Sequence, residues 1–478
     1  MAEAGIHDVA IIGAGVSGAC IARELSRYNL DIIVLEKAAD VSFGTSKANS
    51  GIIHGGFHHN ARYLKTRLET AGAAMFDRLH EELGFPFTRC GILVAAMHPD
   101  EMETIAHLYT QGKENGAPGI ELCSRDRMLE LEPLLAPEVT GGLWAPAGGI
   151  IEPYRFVFSL IENACLNGAT VRTGFEVASA QRLENSWLLA DAAGSAVRAR
   201  YVVNAAGLYA DRVSALFGAE EFCITPRRGE YYLLDRSAAG HPQRVIFPVP
   251  SRVSKGMLVI PAVEGTTLIG PTADECPDPE DLATHGERLA TIAASARTLV
   301  PAVSESDVIT AFAGLRPALG DDFMIQSSTR VPALIQVAGI QSPGLTASPA
   351  IAVLVRDLLA ENGLSLVEKA DFNPYLSPGP AVRSATPLEH DRLIAEDPAW
   401  GSIVCRCESV SEAEIVAAIR KGHTTLDGIK FYTRAQMGRC QGGFCAYKIL
   451  KILERVTGIP AEELTKNGGE STVLGGRL

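Results

Sequence analysis

The first apolar run of the chain, DVAII at residues 8–12, is continuous and rich in β-branched side chains, the pattern of a strand buried on both faces. It leads into GAGVSG and then ACIARELSRYN, where Ile21 and Leu25 recur at the spacing of one helix face. A second β-branched strand, DIIVLEK, carries Glu36 near its end. Two later stretches repeat the passage from an apolar strand into a glycine turn. ARYVVNAAGLYAD places Val202 and Val203 before Ala206 and Gly207, and ALIQVAGIQSPGLTASPAIAVLV runs through Gly339 and Gly344 into a helical pattern. Taken singly, each is an ordinary strand-to-helix joint of a parallel sheet. Between them, EYYLLD, GMLVIPAV and TTLIGPTA, broken by Gly and Pro, predict a mostly antiparallel sheet inserted into the parallel one. After Asn373 the chain carries five prolines without convincing periodicity and reads as a linker. Beyond it, Ser411 and Glu414 form a capping box for SEAEIVAAIRKG, with Ile415, Ala418 and Ile419 on one face and Gly422 as a stop. A further helix, AYKILKILERVTG, starts directly after Cys445.

Composition narrows the class. With 478 residues, 47% hydrophobic and 21% charged, the chain is long enough for two or three domains with sizeable cores, which excludes collagen-like and disordered readings. A formal net charge of -13 argues against nucleic acid or an anionic membrane as a direct partner, because either needs a basic face. Any phosphate must therefore be held locally. The opening MAEAGIHDVAIIGAG has no basic start, long apolar core or cleavage site, and no later apolar run is long enough for a bilayer, so the expected location is cytoplasmic. Six of the ten cysteines stand singly (Cys20, Cys90, Cys123, Cys165, Cys223 and Cys276) and read as reduced, buried, small apolar residues. The other four are clustered.

The candidate chemistry lies in three places. Gly13, Gly15 and Gly18 have G-x-G-x-x-G spacing between strand and helix, with Glu36 following 18 residues after the last glycine. The glycines let a turn close and a pyrophosphate approach the positive end of the helix, while Glu36 would accept hydrogen bonds from a ribose. His54, His58 and His59 cluster in HGGFHHN; a neutral imidazole can take the hydroxyl proton of an alcohol, although each alone could equally serve packing or surface. Cys405 and Cys407 form C-x-C, and Cys440 and Cys445 form C-x4-C after 32 intervening residues. Two tight pairs of thiolates can hold zinc or a [2Fe–2S] cluster. Amides of Gly442 and Gly443 are placed to hydrogen-bond the sulfurs.

Four segments, DVAIIGAGVSGACIARELSR, GTSKANSGIIHGGF, VVNAAGLYAD and FAGLRPALGDD with the later VAGIQSPGLTASPAIA, occur in the order that resembles FAD-dependent oxidoreductases of the D-amino-acid oxidase and glycerol-3-phosphate dehydrogenase superfamily, over roughly residues 5–375. The resemblance implies FAD, noncovalent or covalent, with the noncovalent form expected, and places Gly13, Gly15, Gly18 and Glu36 on its ADP half and Val177 against adenine. Thr45, Ser46, Asn49, Ser50 and Gly51 would line the ribityl chain and ring, Gly207 and Gly339 would turn the second and third strands beside it, and Gly344, Leu345 and Thr346 would approach the pyrimidine edge. His54 occupies the position where some relatives attach flavin. Arg316 in GLRP matches the superfamily's substrate-anion arginine, able to clamp a carboxylate or phosphate through two hydrogen bonds. Its alternative is a salt bridge to Asp321 or Asp322. Arg227 and Arg228 could add charge to the same pocket. Aerobic glycerophosphate dehydrogenases carry Arg-Tyr where this chain has His58-His59, which puts a phosphate arginine there in doubt unless Arg62 and Tyr63 replace it.

The GRCQGGFC context and the cysteine spacing resemble the BFD-like [2Fe–2S] module. The expected fold is thus an α/β FAD-binding Rossmann-like domain with an inserted, mostly antiparallel β substrate domain, plus a small α-helical BFD-like domain. The expected boundaries are 1–90, 145–220 and 325–375 for the FAD-binding domain, 91–144 and 221–324 for the substrate domain, 376–400 for the linker and 401–478 for the BFD-like domain and tail. The expected activity is oxidation of a small anionic secondary alcohol by hydride transfer to flavin, with sn-glycerol 3-phosphate preferred and a 2-hydroxy acid such as L-2-hydroxyglutarate as the alternative. Electrons would leave through the cluster to a partner subunit, with membrane contact at the inner membrane only through that partner, and the enzyme would work as an oligomer or complex. A reading of another class is an electron-relay subunit without its own substrate site.

Overall fold

The computed structural model describes residues 5–250 and 256–476; the first four residues of the N-terminal stretch lie outside them. Strand Ile6–Ile12 pairs in parallel with Ile32–Leu35 on one side and Ala196–Asn204 on the other. Strands Thr170–Arg172 and Leu334–Ala338 extend this parallel core outward, and the hairpin Ser179–Arg182/Trp187–Ala190 and strand Met324–Ser327 add antiparallel edges. The central strands bury both faces, which is why they read as unbroken apolar runs. One face is covered by helices Val16–Leu25, Pro153–Leu166 and Gly344–Glu361, packed through Ile21, Phe156 and Val355. The other carries helix Ala210–Leu216 and a cluster around Trp187 and Phe217.

A second, nine-stranded sheet supplies the inserted layer. Its long pair, Thr225–Leu234 and Val308–Ala318, runs antiparallel and sets Arg227 directly opposite Arg316. One pairing is parallel, Val245–Pro248 with Ile92–Ala96, so the sheet is mostly and not wholly antiparallel. The C-terminal unit is a two-stranded ladder, Ile403–Cys405 with Val410–Ser411, followed by helices Glu412–Arg420, Leu426–Thr433 and Ala446–Thr457, which meet over Ile415, Ile429 and Leu453. The predicted capping box is present: the Ser411 hydroxyl accepts from Glu414 N–H at 3.3 Å while the Glu414 carboxylate accepts from Ser411 N–H at 2.8 Å.

Two expectations need correction. The proline-rich stretch contains helix Pro387–Glu396, started by a capping box of Thr386 and Glu389 with proline at its first position, where the missing N–H costs nothing. The single cysteines are all free, but Cys165 and Cys223 are exposed and Cys90 is half-buried. Only Cys20, Cys123 and Cys276 match the expected burial, and burial pushes the Cys20 thiol up to about 12. Among the described residues, no helix is long and apolar enough to cross a membrane.

Candidate functional site

Where the parallel sheet meets the inserted one, a cavity of about 1000 Å³ opens, at the upper end of the range for ligand pockets. The N-terminal unit forms one end. Gly13 holds φ +103°, and a Cβ there would strike the Ala205 carbonyl, while a Cβ on Gly18 would strike the Gly13 carbonyl. These glycines therefore bring helix Val16–Leu25 hard against the sheet with its N-terminus facing the cavity. Ser46 fastens the next loop to that terminus, its hydroxyl accepting from Val16 N–H at 2.9 Å. Glu36 lines the wall and accepts from Ala14 N–H at 2.7 Å and Ala38 N–H at 2.9 Å. Burial raises its pKa against these amides.

The loop after Ser46 is tied on itself. Asn49 donates to the Ser46 carbonyl at 2.7 Å and accepts from Gly51 N–H at 2.8 Å, and the Thr45 hydroxyl donates to the Leu315 carbonyl at 2.7 Å. Gly13, Gly15, Glu36, Thr45, Ser46, Asn49, Ser50, Val177, Gly207, Gly344 and Leu345 all line the cavity. Gly18, Gly51, Gly339 and Thr346 do not line it; they shape its walls. Gly51 and Gly339 turn at positive φ, and the buried Thr346 hydroxyl accepts from His54 N–H at 3.0 Å while donating to the Ile52 carbonyl at 3.3 Å.

The predicted histidines separate. His54 and His59 line the cavity, and the His54 Nε2 lies 3.3 Å from the Ser342 hydroxyl. His58 does not line it; its ring stacks on Phe57 with centroids 4.1 Å apart and meets Phe247 at 4.8 Å. Arg316 lines the cavity and donates to the Thr272 carbonyl at 3.1 Å. It has no bridge to Asp321 or Asp322 among the described residues: Asp322 instead accepts from Leu64 and Lys65 N–H at 2.6 and 2.9 Å, capping helix Leu64–Ala73. Arg227 joins it in the cavity, with its Nε buried and lacking a hydrogen-bond partner among the described residues. Two guanidinium groups opposed across a ladder repel one another, a cost that an anion between them relieves. Arg228 alternates to the other face, where it pairs with Asp281 at 2.6 Å and Glu230 at 3.5 Å. Arg62 and Tyr63 bond to each other at 2.6 Å on the surface and do not replace a phosphate arginine. Lys65, which the sequence reading overlooked, lines the cavity, with its ammonium donating to the Asp321 carbonyl. The signal for the Arg316 rotamer was Gly229 in RRGE, since a Cβ at Gly229 would collide with the guanidinium.

The four clustered cysteines come together as two pairs, Cys407 with Cys440 at 3.7 Å and Cys405 beside Cys445. They are not gathered into one closed set: among the described residues no group of three or more ligand side chains stands at metal-holding distance. Two-plus-two suits two irons, each taking two thiolates, better than one tetrahedral zinc. The Cys405 thiol is brought down to about 6 by the Cys445 hydrogen bond, against burial, with help from the Gln436 and Glu408 amides. Burial opposes the lowered pKa of Cys440, which the amides of Phe444 and Gly442 favour along with the Cys407 thiol. Gly443 departs from expectation: its N–H donates to the Cys440 carbonyl at 2.9 Å.

The C-terminal unit docks through a buried charge knot. Arg434, at φ +70°, pairs with Glu152 of the first domain, with Glu408 at 2.9 Å and with Glu264 of the inserted sheet at 3.4 Å, and donates to the Tyr154 hydroxyl at 2.6 Å. Glu408 also takes Arg236 at 2.6 Å and Arg383 at 3.2 Å. Nothing in the local sequence of Arg434 marks it, because Glu152 and Glu264 lie far away along the chain.

A dinucleotide-binding turn, a second sheet roofing one cavity and a thiolate-rich helical unit together define a flavoprotein oxidoreductase with an iron–sulfur module. The chain belongs to the FAD dependent oxidoreductase family, whose model matches residues 8–358, and a BFD-like [2Fe-2S] binding domain matches residues 403–455. It is an FAD-dependent oxidoreductase, and its cofactors are FAD and a [2Fe–2S] cluster. A glycerol 3-phosphate dehydrogenase of Caloramator mitchellensis is 42% identical over 474 residues, 98% of each chain. The FAD-bound, dithionite-reduced L-α-glycerophosphate oxidase of Mycoplasma pneumoniae superposes with a TM-score of 0.74 at 29% identity, 79% of this chain covering 100% of that one. Human mitochondrial L-2-hydroxyglutarate dehydrogenase is 32% identical over 285 residues, 56% of this chain and 60% of that protein.

Proposed function

We propose that the protein oxidises sn-glycerol 3-phosphate to dihydroxyacetone phosphate and passes the electrons out through its [2Fe–2S] cluster. The observation that carries the reading is the opposed pair Arg227 and Arg316 inside the cavity, a preformed site for a dianionic phosphate. With the phosphate held there, the carbinol carbon would turn to the flavin held by Asn49, Ser50 and Leu345, which line the same cavity as the two arginines and Lys65. His54, oriented by Ser342, or His59 accepts the hydroxyl proton, a task suited to a neutral imidazole near physiological pH. FAD, when bound, would supply the hydride acceptor and a route for releasing electrons singly. The residues assigned to FAD in the sequence reading, those lining the cavity and those shaping its walls, hold it. Cys405, Cys407, Cys440 and Cys445 hold the cluster.

The coverage of the relatives favours a dehydrogenase. The Mycoplasma oxidase is spanned in full by 79% of this chain, whereas the Caloramator dehydrogenase matches 98% of it, C-terminal unit included. A cluster gives electrons a route to a protein acceptor in place of oxygen. The acceptor would be a partner subunit, which also supplies any contact with the inner membrane. The test is an anaerobic visible spectrum of the holoprotein during addition of sn-glycerol 3-phosphate. Bleaching of both flavin and cluster bands is expected. Bleaching with L-2-hydroxyglutarate alone moves the assignment to a 2-hydroxy acid, and no bleaching with either leaves the relay reading.

A further inference from the structure

Lys47, like Lys37 and Arg212, is a cation of the cavity wall with no part in the proposed reaction. Lys47 lines the cavity between Ser46, which is tied to the first helix, and the loop of Asn49 and Ser50. Its ammonium lies 4.5 Å from the Phe43 ring centre and 5.2 Å from that of Phe431, a residue of the C-terminal unit. Those two rings meet edge to face at 6.1 Å, so the lysine is wedged where that unit closes on the cavity. Two more lysines of the same unit act on it, Lys430 and Lys466. Among the described residues, the carboxylate acting on Lys47 is Asp427, already bound to Lys466 at 2.6 Å. Asn467, next to Lys466, reaches the cavity wall itself.

Lys47, Lys430 and Lys466 share Asp427, and the next acid, Asp40 beside Gly428, is taken by His423 at 2.7 Å, so this corner holds more ammonium groups than carboxylates. Burial brings the Lys47 amine down to about 8, with Asp427 opposing and the two other lysines adding to the shift. Burial lowers Lys430 as well. A partly buried positive corner in a protein with net charge -13 is costly to maintain unless an anion completes it. With the substrate phosphate assigned to Arg227 and Arg316, the anions left for this corner are the FAD diphosphate, charged in both redox states, and the flavin ring, charged only when reduced.

We propose that Lys47, backed by Lys430 and Lys466, is the cationic partner of bound FAD, so that the iron–sulfur domain is itself a wall of the flavin site. The assignment deepens the FAD reading and needs no substrate, so its test stands apart from that of the activity.

The experiment compares the parent with Lys47→Gln and Lys430→Gln. Each holoprotein is stripped of FAD and retitrated at two salt concentrations by quenching of FAD fluorescence, and the flavin midpoint potential is read by spectroelectrochemistry. Iron content checks that the C-terminal unit is folded. Removing the charge of Lys47 should weaken FAD binding by about tenfold or more, with a smaller effect at Lys430 and a shallower salt dependence in both. Unchanged affinity with a lowered midpoint in both variants also supports the corner and assigns its charge to the reduced ring. Affinity and midpoint both at parent values, with iron retained, overturn the proposal. An effect at Lys47 with Lys430→Gln indistinguishable from the parent overturns the role given to the iron–sulfur domain.

Discussion

Replacing Arg434 with methionine tests whether the charge knot fastens the C-terminal unit. Methionine keeps much of the length of the side chain and removes its charge. Glu152, 4% exposed, is then deprived of its cation, as is Glu264, whereas Glu408 keeps Arg236 and Arg383. An exposed ion pair contributes less than about 1 kcal/mol, but breaking a buried pair costs about 3–5 kcal/mol because a charge is left without its partner. Retention of two cations by Glu408 places the expectation near the lower figure, about 3 kcal/mol. In urea, with a slope of about 1–3 kcal/mol per molar, the unfolding midpoint of the holoprotein should fall by about 1–3 M. The assay is equilibrium unfolding followed by tryptophan fluorescence and by cluster absorbance. Glu152→Gln in the same background should recover part of the stability, since a neutral amide tolerates burial better than an unpaired carboxylate. A destabilisation below about 1 kcal/mol, or simple additivity of the two substitutions, would refute the argument.

Three further outcomes are expected. Arg316→Ala should lower kcat/KM for sn-glycerol 3-phosphate by about a hundredfold, the decrease expected for one charged clamp, with FAD still bound; normal turnover removes Arg316 from the anion site. Cys440→Ser should abolish the cluster, and unchanged iron content in the purified variant contradicts the ligand assignment. Hydrogen bonds from Arg439, at 2.9 and 3.0 Å, hold Asp235 well below the usual carboxylate range against partial burial, with Ser237 assisting. A depressed pKa stabilises the folded state above the unfolded value of about 3.9, and that stabilisation is lost as pH falls through the folded one. Docking should therefore weaken below about pH 4, and Asp235→Asn should flatten that part of a stability-against-pH curve; an unaltered slope contradicts the pairing.

Much of this architecture was legible because its signals are local. The strand and glycine turn at residues 8–18, the capping box of Ser411 and Glu414, and the helix after Cys445 each depend on neighbours within a few residues. Helix Pro387–Glu396 was equally local, since Thr386, Pro387 and Glu389 spell a helix start, but the surrounding prolines drew the reading toward a linker. The inner side of the site was less legible. Arg227 and Arg228 are adjacent in sequence, and strand alternation sends one to the cavity and the other to Asp281 and Glu230. Only the register against Arg316 decides which is which. Lys65 and His58 likewise depend on how the loop from Gly55 to Tyr63 folds over Phe57. The knot at Arg434 joins three segments distant in sequence, and no single window of the chain contains the reason for an arginine there.

The same knot bears on how the two redox centres share a molecule. A carrier domain on a flexible leash delivers its cargo by collision, and its effective concentration falls as the leash lengthens. Here the C-terminal unit is clamped on two sides, by Glu152 and by Glu264, so a cluster and a flavin held in these units would keep a separation set by the fold. Residues 374–381, outside any helix, are fastened to the same body, the Pro374 carbonyl accepting from Arg23 at 3.2 Å and the Leu376 N–H donating to the Glu82 carbonyl at 2.8 Å, so the connection acts as no leash.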